Sequence, residues 1–189
     1  MSLRSKEKQD ELDDRLFTAI SDDEWDIAKR VIGEGANVNA ISEFGETPLH
    51  SALYHGDSES VIRLLLERGA DVNTRNAKDY GKTPLHIACG YQSPLVVQLL
   101  LGYGSDVNAP DDHGNIAIHL AIFGSNHDTA LFLLCNGADP MARNHTGASP
   151  LDLVTSSQNR KSREEIIDWY RERYPEMVME KFCTNGPGI

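Results

Sequence analysis

A six-residue phrase recurs along the chain, and it limits the fold more than any other feature. Gly45-Glu46-Thr47-Pro48-Leu49-His50 returns as Gly81-Lys82-Thr83-Pro84-Leu85-His86. It returns more loosely as Gly114-Asn115-Ile116-Ala117-Ile118-His119 and as Gly147-Ala148-Ser149-Pro150-Leu151-Asp152. The leading glycines are 36, 33 and 33 residues apart. A second series keeps phase with the first: Gly35-Ala36-Asn37-Val38-Asn39, Gly69-Ala70-Asp71-Val72-Asn73, Gly104-Ser105-Asp106-Val107-Asn108 and Gly137-Ala138-Asp139-Pro140. Two motifs in fixed phase mean one small structural unit, repeated.

Each unit reads as two short helices. Thr-Pro puts proline in a first turn, where a missing N–H costs nothing, with Thr at the capping position. A helix such as Leu49 to His55 follows, then a turn, then a second helix such as Ser60 to Glu67. Leu64-Leu65-Leu66 supplies an apolar face for the neighbouring unit to cover, and Gly69 stops the helix because positive φ is needed there. The two motifs together closely resemble the ankyrin-repeat family over about residues 12 to 173. The resemblance implies an all-α fold, an ankyrin-repeat solenoid of about five helix-turn-helix repeats joined by β-turn fingers. Its phrase histidines, His50, His86 and His119, would then bond within and between repeats as structural residues.

On this reading residues 1–11 are a flexible N-terminus and 12–182 the repeat domain. Residues 12–41 form an N-terminal capping repeat, followed by 42–77, 78–110, 111–143 and a C-terminal capping repeat at 144–182. Residues 183–189 form a flexible tail. Leu16 to Ile20 and Ile27 to Ile32 supply the first helix pair, with Phe17 where the phrase histidine would stand. Ser162 to Arg173 reads as the last helix, with Ile166, Ile167, Trp169 and Tyr170 facing inward; Met177, Val178 and Phe182 could add an apolar turn over the stack end. Three departures stand out. Ile116-Ala117 replaces Thr-Pro, Asp152 replaces the last histidine, and Gly69 to Gly81 spans 12 residues where the other three fingers span 10.

The net charge of −11 argues against nucleic acid, whose binders need a basic footprint, and against anionic lipid. No apolar run approaches the roughly 20 residues of a membrane span, and no secretory signal is expected at the charged N-terminus. Three cysteines without a Cys-x-x-Cys pair fit reduced thiols, with Cys89 and Cys135 in the core and Cys183 in the tail. A cytoplasmic location is expected, with the nucleus or delivery into a host cell as alternatives.

No enzyme chemistry is legible. There is no Gly-rich phosphate loop and no catalytic histidine signature. The pairs Asp13-Asp14, Asp22-Asp23 and Asp111-Asp112 lack calcium-loop spacing and read as solvated surface. No catalytic residue, metal or cofactor is expected. What the resemblance implies instead is a concave face, made of finger tips and exposed first-helix ends, that grips another protein.

Register places Phe44, Tyr80 and His113 before the finger glycines, and Glu46, Lys82 and Asn115 after them. Tyr54, His55, Tyr91 and Phe123 come from the first-helix ends, and Asp112 joins them at the third finger. Aromatics gathered on one surface are favoured interface anchors. Charge is uneven along the stack: residues 101–150 carry 5 acidic groups and 1 basic group. A basic protein partner is therefore expected, bound by a monomer. The chain reads first as a stoichiometric inhibitor or sequestering protein, and second as an adaptor, scaffold or host-directed effector. The resemblance also implies a hydroxylation site at Asn108. Leu100, five residues, then Asp106-Val107-Asn108-Ala109 matches the preference of the asparaginyl hydroxylase that modifies such repeats.

Overall fold

The computed structural model describes residues 3–56, 59–91, 94–156 and 160–174, with side chains except at 3–5, 91, 155–156 and 160–163. Within these residues ten helices run as five pairs: α1 (Leu3–Ser21) with α2 (Trp25–Glu34), α3 (Pro48–Tyr54) with α4 (Glu59–Glu67), α5 (Pro84–Tyr91) with α6 (Pro94–Gly102), α7 (Ala117–Phe123) with α8 (His127–Cys135), and α9 (Pro150–Ser156) with α10 (Arg160–Arg173). The first helices pack in series, α1 on α3, α5, α7 and α9; α2 packs on α4, and α6, α8 and α10 pack in turn. The fold is the all-α solenoid that the resemblance implies.

Helix starts follow the phrase. Thr47, extended at φ −88° and ψ 163°, caps α3, and Pro48 occupies the first turn. Helix α4 turns Val61, Ile62, Leu65 and Leu66 inward, while Leu64 is only partly buried. Gly69 follows at φ +84°, a conformation that favours glycine. One continuous core runs from Leu12 to Tyr170.

The phrase histidine couples neighbouring units. The Thr47 backbone N–H donates to His50 Nδ1 at 3.2 Å, and the Thr47 hydroxyl lies 2.8 Å from the same nitrogen. A backbone N–H can only donate, so Nδ1 is bare and the ring proton sits on Nε2. That proton is donated across the repeat boundary to the Lys82 carbonyl at 3.3 Å. His86 repeats the arrangement with Thr83 and reaches the Asn115 carbonyl at 3.0 Å. His119 accepts from the Ile116 N–H at 3.2 Å and reaches the Ala148 carbonyl at 3.3 Å. Asp152 accepts from the N–H and hydroxyl of Ser149, at 2.9 and 2.6 Å, but as a carboxylate has no proton to send onward.

A second relay runs along the outer turns. Asn39 donates its Nδ2 to the Gly69 carbonyl at 3.0 Å and accepts at Oδ1 from the Asp71 N–H at 2.8 Å. Asn73 does the same to Gly104 and Asp106, and Asn108 to Gly137 and Asp139. At the N-terminal end two residues of α1 divide the job. Gln9 Nε2 donates to the Gly35 carbonyl at 3.2 Å, and Asp13 Oδ1 accepts from the Asn37 N–H at 2.7 Å. Residues 1–11, expected to be a flexible lead, are thus helical from Leu3, and Gln9 is tied to the first repeat.

Two further expectations need correction. Cys135 ends α8 facing solvent rather than the core, while Cys89 is buried. Asp111, read as surface, is 4% exposed because its carboxylate closes its own finger. At the C-terminal end Ile166, Ile167 and Tyr170 pack inward as expected, with Trp169 partly buried against the core. The Tyr170 hydroxyl donates to the Pro140 carbonyl at 2.9 Å. Cys183, Met177, Val178, Phe182 and the 183–189 tail lie outside the described residues.

Two outcomes follow from this packing. Ile116 has no side-chain cap bond, yet it and Ala117 sit in buried slots that Thr83 and Pro84 fill in the preceding unit. Ile116→Thr with Ala117→Pro should add about 1 kcal/mol and raise the thermal midpoint by about 3 °C. A lowered midpoint would show that the slots are not equivalent. The second outcome concerns pH. Burial holds His50, His86 and His119 below the ordinary histidine value of 6.5. The unfolded chain therefore takes up protons that the folded one refuses, and stability should fall as pH drops below 6.5 and level off above it. Melting from about pH 7.5 to 5.5 should show this slope, and His86→Gln should be less stable but flatter across the range.

Candidate functional site

The finger tips are built by short hairpins. In each, a first residue donates its N–H to the carbonyl four or more residues on: Ser42 to Glu46 at 2.9 Å, Asn76 to Lys82 at 2.9 Å, Asp111 to Asn115 at 2.8 Å and Asn144 to Ala148 at 3.1 Å. The same residue's side chain then accepts tip N–H groups, as Asp111 does from His113 and Asn115, both at 2.8 Å. The Asp112 N–H donates to the Tyr80 carbonyl and the His145 N–H to the His113 carbonyl, each at 2.8 Å, so successive tips are held in line. Gly114 shows how tight the spacing is. At φ +74°, an added Cβ would lie 2.7 Å from His145 Cδ2.

On this scaffold Phe44, Tyr80 and Phe123 are 65%, 58% and 59% exposed. His113 is exposed too, its ring centroid 4.8 Å from that of Tyr80. Tyr80 carries a positive φ of +52°, unusual for a bulky side chain and costing about 1 kcal/mol relative to glycine. The two extra residues of this finger are accommodated here: the Gly81 N–H returns to the Asn76 carbonyl, five residues back, where the other fingers close over three. Finger length was legible in the sequence. The strained tyrosine was not.

Other expected contact residues are already engaged. The Tyr54 hydroxyl donates to the Asp79 carboxylate, which also takes Lys82 Nζ at 3.0 Å. Burial works against the Asp79 charge, but bonds from Tyr54 and Lys82 outweigh it and hold the carboxyl below its ordinary value. Lys82 is thus half-buried and paired rather than a free surface cation. Glu46, half-buried, accepts from the Ser51 hydroxyl at 2.7 Å. Asp112 is exposed and paired with Arg75 at 2.7 Å. His55 is exposed, with Nδ1 3.7 Å from an Asp23 oxygen.

Asn115 is a correction. It is 7% exposed, donating to Asp111 Oδ2 at 3.2 Å and accepting from Asn144 Nδ2 at 2.9 Å, so its side chain ties two fingers together inside the stack. The Tyr91 side chain lies outside the described residues. Asn108 is exposed, but both ends of its amide serve the outer relay, as do those of Asn39 and Asn73.

Sequence reasoning missed one surface. A groove of about 800 Å³ opens between α1 and the first finger, lined by Asp10, Asp14 and Phe17 on one wall and Ile41, Glu43 and Phe44 on the other. The signal was present: Asp10, Asp13, Asp14, Phe17, Thr18 and Ser21 recur at helical spacing and share one face of α1. Reading residues 1–11 as unstructured hid it.

The phrase histidines are structural, and burial pushes the Cys89 thiol up, leaving it protonated and inert. Among the described residues no group of three or more His, Cys, Asp or Glu side chains could hold a metal ion, and no helix is long and apolar enough to cross a membrane.

Comparison with known proteins agrees with the geometry. The family model for ankyrin repeats matches residues 6–76 and 76–144. Transient receptor potential cation channel subfamily A member 1 from Homo sapiens is 32% identical over 151 residues, covering 79% of this chain and 13% of that protein. Neurogenic locus notch homolog protein 1 from Mus musculus is 36% identical over 129 residues, covering 68% of this chain and 5% of that one. The human notch homolog protein 2 is 38% identical over 115 residues, covering 60% and 4%. The chain spans only a small part of these curated relatives. With the repeat phrase, the stacked helix pairs and the family match all in register, the chain belongs to the ankyrin-repeat family.

Proposed function

We propose that this protein-protein interaction module grips a basic protein partner with its concave face and acts as a stoichiometric inhibitor or sequestering protein. The observation that carries the reading is Tyr80, more than half exposed at a finger tip and in a backbone conformation that favours glycine. Strain of this kind persists where the surrounding structure over-determines it, and it clusters at functional sites. Phe44 holds the same place before its finger glycine as Tyr80 does, Phe123 ends the first helix of a later unit, and aromatic anchors dominate interface energies. Acidic groups outnumber basic ones 29 to 18, which favours encounter with a basic surface. Hydroxylation at Asn108 stays within this reading as a modification of the stack's edge.

An adaptor role is the second reading. What favours it is that the matched repeats in the channel and notch proteins are short stretches of much longer chains.

The partner can be captured by affinity pull-down, identified by mass spectrometry and titrated against variants. Truncating Phe44 or Tyr80 to Ala should weaken binding roughly thirtyfold, equivalent to about 2 kcal/mol. Phe44→Ala should change stability by less than about 0.5 kcal/mol. Tyr80→Gly should melt at or above the parent temperature while binding poorly, since it removes an anchor and relieves strain together. Normal binding by both Ala variants would move the interface off this face.

A further inference from the structure

We infer that the groove between α1 and the first finger is the docking site for a basic, amphipathic segment of the partner. This rests on the reading of the concave face as a grip for a basic protein, and it adds where the positive segment lies and what it must look like. The α1 wall is an amphipathic helix whose other face, Leu12, Leu16, Ala19 and Ile20, is buried in the core. Its groove face is acidic. Asp13 is occupied in the outer relay, but Asp10 and Asp14 are exposed and point no bond into the stack. The opposite wall brings Glu43, also exposed, beside two large apolar side chains, Ile41 at 59% and Phe44 at 65%. Among the described residues no lysine or arginine lines the groove.

Carboxylates alone would suit many cations. The apolar side chains narrow the choice, because exposed Ile and Phe beside a helix gain most by covering another apolar surface. No three of the acidic groups converge as metal ligands would. At about 800 Å³ the groove has room for a stretch of peptide, whose apolar residues would cover Ile41 and Phe44 while its Arg or Lys heads reach the carboxylates. The wall is also held in place before binding, since Gln9 and Asp13 bond α1 to the Gly35–Asn37 turn. A preformed wall spares the ordering that a loose helix would need on docking.

Fluorescence anisotropy of the full chain with a short labelled peptide of alternating arginine and leucine tests this. Saturable binding is expected at low salt, and about tenfold weaker binding when serine replaces leucine or when glutamate replaces arginine. The combined Asp10→Asn, Asp14→Asn and Glu43→Gln variant, and separately Ile41→Ala with Phe44→Ala, should each lose about tenfold while melting as the parent does. Phe123→Ala, at the far end of the face, should bind this peptide normally. Parental affinity in the three-carboxylate variant, or equal affinity for the arginine and glutamate peptides, would overturn the inference. If the identified partner loses affinity on Tyr80→Ala and Phe123→Ala but ignores the three-carboxylate variant, the concave reading survives and the groove is refuted by itself.

Discussion

The stack depends on a neutral imidazole that accepts on one side and donates on the other. In His50, His86 and His119 the bare Nδ1 takes the N–H at the start of its own helix, while Nε2–H reaches a carbonyl in the next unit. A helix start would otherwise leave donors unsatisfied in a buried place, and the next finger's closing carbonyl, already taken by its own hairpin N–H, has a second lone pair for a donor from the neighbouring unit. One ring answers both needs, so forming a helix and docking its neighbour become one event. A charged imidazole cannot do this, because protonated Nδ1 no longer accepts. The low-dielectric surroundings that make the bonds strong also keep the proton off.

That coupling explains what the rest of the chain can tolerate. Phe44 and Tyr80 stand at tips held by closed hairpins, and the finger-to-finger bond at Tyr80 leaves from its carbonyl rather than its ring. The ring, packed beside His113, stays at the surface while the backbone carries the architecture. The φ of +52° at Tyr80 is sustained by the Gly81 return bond and by the Asp112 contact on either side of it. At the N-terminal end, Gln9 and Asp13 stand in for the asparagine of a preceding unit. The same helix thereby offers its acidic face to the groove.

Much of this was legible because it rests on period. The six-residue phrase, recurring every 33 to 36 residues, located four of the five helix pairs and the weak start at Ile116, and the resemblance it carries implied the structural histidines. What escaped was decided by tertiary partners. Asn115 looks like Glu46 and Lys82 in register, yet it turns inward because Asp111 and Asn144 are placed to bond it. Cys135 sits in an apolar run but falls on the outer side of α8. Residues 3–11 look too polar for structure, since only the Gly35 and Asn37 backbone groups, distant in sequence, give Gln9 and Asp13 something to bond.

The central claim concerns protons, and imidazole nitrogen NMR reads them directly. Long-range proton–nitrogen correlation at neutral pH should find His50, His86 and His119 each in a single tautomer, protonated at Nε2 and bare at Nδ1. A proton on Nδ1 in any of the three buried rings, or averaging between the two tautomers there, would contradict the account, because the backbone N–H at each helix start would then have no acceptor.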